Sequence, residues 1–93
     1  MGKIVEAEMV PGAKRLILLK IDLGGEIKQS VAGIGEQYKP EDLKSKLVVV
    51  VTNLKPRRVF GLNSEVMLLA AVDGQTISVI EPDKQISAGS KVT

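Results

Sequence analysis

The amino-acid sequence predicts an all-β domain: a closed barrel of five short strands, with one short helix between the third and fourth. Three observations support this prediction. Beta-branched residues, which favour strands, are abundant, with 12 valines and 8 isoleucines against one phenylalanine and one tyrosine. Turn signals recur between short apolar runs, and only one segment begins like a helix. The length of 93 residues fits a single domain, residues 1–93.

The first two strands are predicted on either side of a tight turn. Residues 3–9 mix apolar and charged side chains in a pattern that suits a strand. Val10–Ala13 contains adjacent proline and glycine and therefore predicts a turn. Residues 16–22 form the apolar run that follows, and we expect this run to be the second strand.

A third strand is predicted over residues 26–32, joined to the second by a hairpin. The Gly24-Gly25 pair supplies the positive φ angles that a tight hairpin needs. The alternation of residue types over residues 26–32 then predicts a half-exposed strand, because successive side chains of a strand point to opposite faces of the sheet. The two faces would carry Ile27, Gln29 and Val31 on one side, and Lys28 and Ser30 on the other.

The helix is predicted over residues 38–46, with about two turns. Pro40 suits the first helical position, acidic residues follow in the first turn, and lysines occupy the last turn. The run Leu47–Val51 comes next and is too short for most helices. It predicts a strand buried on both faces.

The second half of the chain is predicted to contain a loop and a hairpin. Pro56 and Gly61 interrupt residues 53–61, which indicates a loop. Residues 66–72 and 76–81 are predicted strands around an Asp73-Gly74 turn, and the tail is a predicted loop with at most one edge strand. A helix between the third and fourth strands is the arrangement of the OB-fold, a five-stranded Greek-key barrel.

Composition excludes several kinds of chemistry. The chain has no histidine and no cysteine, so serine–histidine and cysteine–histidine catalysis and cysteine-based metal sites are ruled out. Gly33-x-Gly35 is half of a dinucleotide-binding motif, but Tyr38 stands where the third glycine belongs. No carboxylate pair is placed for acid–base work, and we expect no catalytic residue, no metal and no cofactor. No targeting or membrane-spanning segment is visible, which favours a cytoplasmic protein.

Positive charge concentrates in one part of a nearly neutral chain. The net charge is +2 overall, yet residues 39–58 contain six cations and two anions. Lys55, Arg57 and Arg58 fall in the predicted loop, where exposed groups can bind phosphate. With two aromatic residues in the chain, base stacking cannot dominate, so a nucleic acid would be bound through its backbone and shape. The alternative for the cluster is a solvated surface loop.

The segments Asn53–Arg58 (NLKPRR) and Ser64–Ala71 (SEVMLLAA), with Gly61 between them, resemble a known family. They are similar to the tRNA-binding OB-fold domain at the C-terminus of methionyl-tRNA synthetases. The same domain occurs in free-standing tRNA-binding proteins and in endothelial-monocyte-activating-polypeptide-like cofactors. Supporting similarity at Tyr38–Leu43 and Gly89–Val92 extends the resemblance over nearly the whole chain.

The resemblance implies a non-catalytic module that recognises the shape of tRNA and supports a synthetase, in cis or in trans. Family members commonly form homodimers. Met67 considered alone would be a core residue, since methionine usually fills gaps in cores, but its position in the motif places it at the binding site. The predicted RNA-binding residues, carried over by position or by exposure, are Asn53, Lys55, Arg57, Arg58, Ser64, Met67 and Lys28.

Three departures from the family pattern stand out. The turn after the first strand reads Val10–Leu16 (VPGAKRL) in place of the usual HPNADKL, which introduces the basic pair Lys14-Arg15. Val66 replaces the usual glycine, and the first strand lacks the usual lead-in, so we expect it to be truncated. A secretion-chaperone branch of the superfamily, which binds unfolded polypeptide, often has Ser-Glu-Val at positions 64–66, and this function is the alternative.

Overall fold

The computed structural model describes all 93 residues and shows a nearly all-β chain with a single helical turn. No helix in it has the length and apolar character needed to cross a membrane. The all-β class and the position of the helix after the third strand are confirmed. The elements are β1 (Gly2–Val10), β2 (Ala13–Asp22), β3 (Ile27–Ala32), α1 (Pro40–Leu43), β4 (Leu47–Val48), β5 (Val50–Val51), β6 (Arg57–Val59), β7 (Leu62–Ser64), β8 (Met67–Leu68), β9 (Ala70–Asp73) and β10 (Thr76–Val79).

A curled antiparallel sheet, in the order β3-β2-β1-β4, forms one wall of the barrel. The β1–β2 turn lies where proline and glycine predict it, with Val10 paired to Ala13 and Gly12 at a φ of 81°. In the β2–β3 turn, the Asp22 carboxylate accepts a 2.8 Å hydrogen bond from the Gly24 amide. Both predicted turns are therefore confirmed.

The face of β3 that carries Lys28 and Ser30 is not the exposed face that the sequence predicts. Ser30 is buried, at 2% exposure, while Ile27 at the end of the strand is 60% exposed. Burial of the serine is tolerated because its hydroxyl donates a 2.8 Å hydrogen bond to the Val66 carbonyl oxygen. A serine with a partner of this kind can occupy a core position that alternation would assign to an apolar residue.

We expect Ser30→Ala to lower the free energy of unfolding by about 1–2 kcal/mol, because the buried Val66 carbonyl would lose its short hydrogen bond. Urea unfolding measures the change. The matched control is Ser78→Ala, since Ser78 is exposed in β10 and should tolerate the change within about 0.5 kcal/mol. Equal stability of the two variants would contradict the assigned role of Ser30.

The helix is one turn long, not the predicted two. Lys44 leaves the helix with a ψ of 135°, and Ser45 adopts a φ of 72°. The backbone here is bonded to β1, since the Ser45 amide donates to the Ile4 carbonyl at 2.7 Å and the Ile4 amide donates to Lys46 at 2.9 Å. Pairing with the sheet thus ends α1 at Leu43, whose side chain is fully buried.

The valine run is not one strand buried on both faces. β4 pairs with β1, whereas β5 pairs with β8, so the chain changes partner at Val49. The Val49 amide donates to the Ile80 carbonyl oxygen, and its own carbonyl accepts from the Leu69 amide. Of the five residues, only Val48 is buried.

Residues 53–61 are not entirely a loop, because β6 and β7 form a short hairpin with Phe60 and Gly61 at its tip. The predicted strand over 66–72 is divided into β8 and β9. The turn between β9 and β10 consists of Gly74 and Gln75, one residue later than predicted, and the tail contains no strand.

The core is small and aliphatic, as the composition predicts. The buried cluster consists of Ile4, Ile17, Leu19, Ile21, Ile34, Leu43, Val48, Val66 and Val79.

The segment 64–66 closes the open edge of β3. The Gln29 amide donates a hydrogen bond to the Glu65 side chain, and the Val31 amide donates one to the Ser64 side chain. These bonds hold the β7–β8 segment against the sheet and so build the wall that carries the candidate site.

An ion pair links the residue before β4 to the segment after β10, with Lys46 Nζ 2.7 Å from Glu81 Oε1. This hydrogen bond raises the pKa of the Lys46 ammonium above 10.5. A raised pKa stabilises the fold below the unfolded-state value of 10.5, and the stabilisation is lost as the pH rises through the folded-state value.

We expect Glu81→Gln to cost about 0.2–1 kcal/mol of unfolding free energy at pH 7, because the pair is partly exposed. The difference from the wild type should shrink as the pH rises through the raised pKa of Lys46, where the ammonium loses its proton. Urea unfolding at several pH values measures it, with Glu41→Gln as the control because Glu41 is exposed and forms no ion pair. If the difference in unfolding free energy between Glu81→Gln and the wild type is the same at high pH, the Lys46–Glu81 ion pair is not its cause.

Candidate nucleic-acid interface

A groove of about 390 Å³ lies where β3 faces the β6–β7 hairpin and β8, and we call it the β3–β8 groove. Its floor is apolar, with Val31, Ile34, Val66 and Leu68 among the lining residues. Four predicted site residues line it as well, namely Lys55, Arg57, Ser64 and Met67. The structure thus brings together four residues that were predicted from the sequence.

Lys55 and Arg57 are the cations of this groove. Both are exposed, and neither has a carboxylate within 4.0 Å. A solvent-facing ammonium and a guanidinium fork beside an apolar floor can bind a phosphate while the floor contacts a sugar or base.

The β6–β7 hairpin explains why the two neighbouring arginines differ. Successive residues of a strand point to opposite faces, and Arg57 pairs with Ser64 on the groove side. Arg58 pairs with Asn63, and its Nη2 donates a 2.9 Å hydrogen bond to the Gly61 carbonyl oxygen. Arg58 therefore stabilises the hairpin tip and does not line the groove.

The Ser64 side chain is held by a hydrogen bond, whereas the Met67 side chain is exposed to solvent. The Ser64 hydroxyl accepts a 3.1 Å hydrogen bond from the Val31 amide, so it joins the hairpin to β3. Met67 is 43% exposed in the groove wall, so its alternative assignment as a core residue is wrong. An exposed methionine beside two cations offers an adaptable apolar contact to a ligand.

Lys28 and Asn53 lie in a different depression, of about 660 Å³, which we call the polar groove. The Lys28 ammonium is 3.0 Å from Glu26 and 3.9 Å from Glu65. The hydrogen bond to Glu26, with the charges of Glu26 and Glu65, raises the pKa of Lys28 above 10.5. Lys28 therefore stays protonated but is already paired with carboxylates.

The basic cluster of residues 39–58 is not a single patch. Lys46 is paired with Glu81, and Lys44 lines a hollow that contains Glu6 and Glu8. Only Lys55 and Arg57 of the cluster line the β3–β8 groove. Spacing along the chain could not reveal this division, since it depends on which face each strand turns outward.

Sequence reasoning missed the groove floor and one cation. Leu54, Leu68 and Ala70 line the β3–β8 groove, and Lys91 lines the polar groove. The apolar residues carry the same signal as core residues, so no sequence feature distinguishes them. No three acidic residues form a cluster that could hold a metal ion.

Comparison with known proteins decides the family. A family model described as "Putative tRNA binding domain" matches residues 1–91. The chain belongs to this tRNA-binding domain family. It is 48% identical over 91 residues to methionine–tRNA ligase of Pyrococcus furiosus, and 50% identical over 92 residues to that of Thermotoga maritima. These matches cover 98% and 99% of the chain, but the chain spans only 13% and 15% of the two ligases.

Solved structures of similar fold support the same family. The methionyl-tRNA-synthetase-related protein of Pyrococcus horikoshii superposes with a TM-score of 0.93 at 33% identity, covering 99% of this chain and 85% of that one. The chaperone CsaA of Bacillus anthracis superposes with a TM-score of 0.88 at 36% identity, covering 99% and 86%. These similarities confirm the predicted OB-fold class. The chain is thus a tRNA-binding domain related to part of methionine–tRNA ligases.

Proposed function

We propose that the tRNA-binding domain binds tRNA in the β3–β8 groove through phosphate contacts and shape, without catalysing a reaction itself. The observation that carries this proposal is the pair Lys55 and Arg57, two exposed cations without acidic partners at the rim of an apolar groove. Such groups supply binding that is independent of base sequence.

The other predicted residues take supporting roles in the proposal. Ser64 orients the groove wall, Met67 contacts a ribose or base, and Arg58 keeps the hairpin in place. Lys28 and Asn53 extend the contact into the polar groove. The binding surface would then extend over both the β3–β8 groove and the polar groove, which suits a large folded RNA more than a small ligand.

The domain would support a methionine–tRNA ligase in the cytoplasm, either as part of the same chain or as a separate protein. A second weak site on a linked partner raises the effective concentration of tRNA at the enzyme. The ligase would then gain affinity without new chemistry. Aminoacylation itself would take place in a catalytic region elsewhere, and the domain would need no cofactor or metal.

We also propose that the domain acts as a homodimer. Large apolar side chains remain exposed outside the β3–β8 groove, with Val72 at 67%, Ile27 at 60% and Val92 at 55%. The proposal requires that such side chains adjoin in one patch, which a partner subunit covers. Sedimentation velocity should give a mass near 20 kDa, about twice the 10.0 kDa of the chain. A single 10.0 kDa species at high concentration would exclude the dimer.

Binding of unfolded polypeptide is the second candidate function. The apolar floor of the β3–β8 groove and the similarity to chaperones named CsaA favour it. An extended peptide could place its side chains on that floor, but it would make little use of the two cations at the rim. Binding of tRNA would use the cations for its phosphates and the apolar floor for a sugar or base, and we therefore propose tRNA as the first ligand.

A competition experiment separates the two functions. Fluorescently labelled tRNA is bound to the domain, and a permanently unfolded polypeptide, reduced and alkylated α-lactalbumin, is titrated against it. We expect unlabelled tRNA to displace the probe and the polypeptide to leave it bound. Polypeptide that binds more tightly than tRNA would establish the chaperone function in place of the proposed one.

A further inference from the structure

The chain's only phenylalanine lies in a hollow next to the β3–β8 groove. Phe60, Lys14 and Arg15 line this hollow together with Gly33, and its volume is about 420 Å³. Gly33 also lines the β3–β8 groove, so the two depressions share a wall. A nucleic-acid strand that leaves the groove past Gly33 would meet Phe60 next.

The backbone of Phe60 is in a conformation that aromatic residues rarely adopt. Its φ is 51°, and Gly61 follows at 80°, in the two-residue loop that joins Val59 to Leu62. Such loops favour asparagine followed by glycine, because a bulky side chain in the left-handed region is strained. The sequence therefore keeps a residue here that the turn itself does not favour.

Burial does not compensate for this strain, because 61% of the Phe60 residue remains exposed. Its ring lies near the β1–β2 turn, where a Cβ atom on Gly12 would be 3.6 Å from the ring Cζ. The ring is thus positioned against the barrel and still presents most of its surface to solvent. An exposed, positioned aromatic ring is the arrangement used to stack nucleobases.

The charges around the ring suit a nucleotide. Lys14 is exposed and has no carboxylate within 4.0 Å. Arg15 Nε lies 2.9 Å from Glu36 Oε1, with both side chains largely exposed. Lys14 is therefore the cation available for a phosphate, while Arg15 is partly neutralised by Glu36.

We propose that Phe60 stacks on an unpaired base of the bound RNA and that Lys14 contacts the phosphate beside that base. This proposal rests on the proposed function, because the RNA backbone must lie in the β3–β8 groove to bring a base to Phe60. Folded tRNA exposes unpaired bases in its loops and at its 3′ end, whereas a continuous duplex exposes none along its length. One aromatic ring adds one base contact to a mainly electrostatic interface.

The variant Phe60→Asn tests the proposal without destroying the hairpin, since asparagine readily adopts a positive φ. We expect its affinity for tRNA, measured by fluorescence anisotropy, to fall by about 5- to 100-fold. The slope of log affinity against log salt should not change, because no charge is removed. The melting temperature should equal or exceed that of the wild type, and Phe60→Tyr should restore wild-type affinity. Wild-type affinity of Phe60→Asn would overturn the proposal.

Failure of this proposal can be distinguished from failure of the proposed function. If Phe60→Asn binds normally while reversing the charges of Lys55 and Arg57 abolishes binding, only the stacking contact is refuted. If the folded wild type does not bind tRNA at all, both proposals fall. Every outcome of this series therefore decides one of the two claims.

Fluorescence gives an independent readout, because the chain has no tryptophan. In Phe60→Trp, stacking should quench the indole when tRNA binds, and a blunt-ended RNA duplex that binds through phosphates should quench it much less. Equal quenching by tRNA and duplex, or bound tRNA without quenching, would contradict stacking of an unpaired base.

Discussion

We expect the double substitution Lys55→Glu/Arg57→Glu to lower the affinity for tRNA by about 100-fold or more at low salt. Both side chains line the β3–β8 groove, are exposed, and lack acidic partners, so their charges are available to phosphate. Removing two phosphate contacts should also reduce the slope of log affinity against log salt by about 2. Fluorescence anisotropy with labelled tRNA measures both quantities.

The matched control reverses two other exposed lysines, in Lys39→Glu/Lys84→Glu. It changes the net charge by the same amount, but neither residue lines the β3–β8 groove. We expect its affinity to fall much less than that of the groove variant. Equal losses in the two variants would mean that net charge, and not the groove, determines binding.

The second large effect concerns Gly35, where we expect substitution by alanine to lower the free energy of unfolding by about 1–3 kcal/mol. A Cβ atom there would lie 2.6 Å from the Lys14 carbonyl oxygen and 2.9 Å from the Arg15 carbonyl carbon. The Gly35 amide also donates a 2.9 Å hydrogen bond to the Arg15 carbonyl oxygen. Because backbone atoms cannot move aside as a flexible side chain can, the contact must strain the start of β2.

Gly33→Ala is the control for this prediction, two residues away in the same segment. A Cβ atom on Gly33 meets nothing within 4 Å, and its φ is not positive. We expect it to be neutral or to stabilise by up to about 1 kcal/mol. Thermal unfolding should show Gly35→Ala about 5–15 °C below Gly33→Ala. Similar melting temperatures would show that the segment 33–35 adapts freely to side chains.

The first three strands could be predicted from the sequence because their turns carry strong local signals. Pro11-Gly12 and Gly24-Gly25 supply backbone conformations that few other residues adopt, and both turns form where expected. The central valine run could not be resolved in this way. Its division at Val49 depends on pairing with Leu69 and Ile80, which are distant in the chain.

Competition from tertiary pairing also explains the short helix and the buried serine. Local signals favour a helix up to Lys46, but Ile4 of β1 pairs with the backbone of Ser45 and Lys46. Ser30 shares a strand face with Lys28, which the sequence predicts to be exposed, yet the Val66 carbonyl gives the Ser30 hydroxyl a buried partner. Neither partner is visible from the segment's own sequence.

The motif indicates the candidate site more narrowly than the charge cluster does. Of the six residues that the resemblance selects by position, Lys55, Arg57, Ser64 and Met67 line one groove. The other two do not line it, since Asn53 lies in the polar groove and Arg58 bonds to the hairpin tip. Counting charge alone would have included Lys44 and Lys46, which lie elsewhere beside carboxylates. Phe60 carried no signal beyond being the only phenylalanine, because its strain and exposure depend on the hairpin geometry.

The most direct test of the account is the affinity of the wild-type domain for total tRNA over a series of salt concentrations. Binding through phosphates predicts that log affinity falls linearly with log salt, with a slope between about −2 and −5 for roughly two to five phosphate contacts. Circular dichroism of the same sample shows that the domain is folded. A folded domain that fails to bind tRNA at low salt, or that binds it equally at all salt concentrations, would contradict the account.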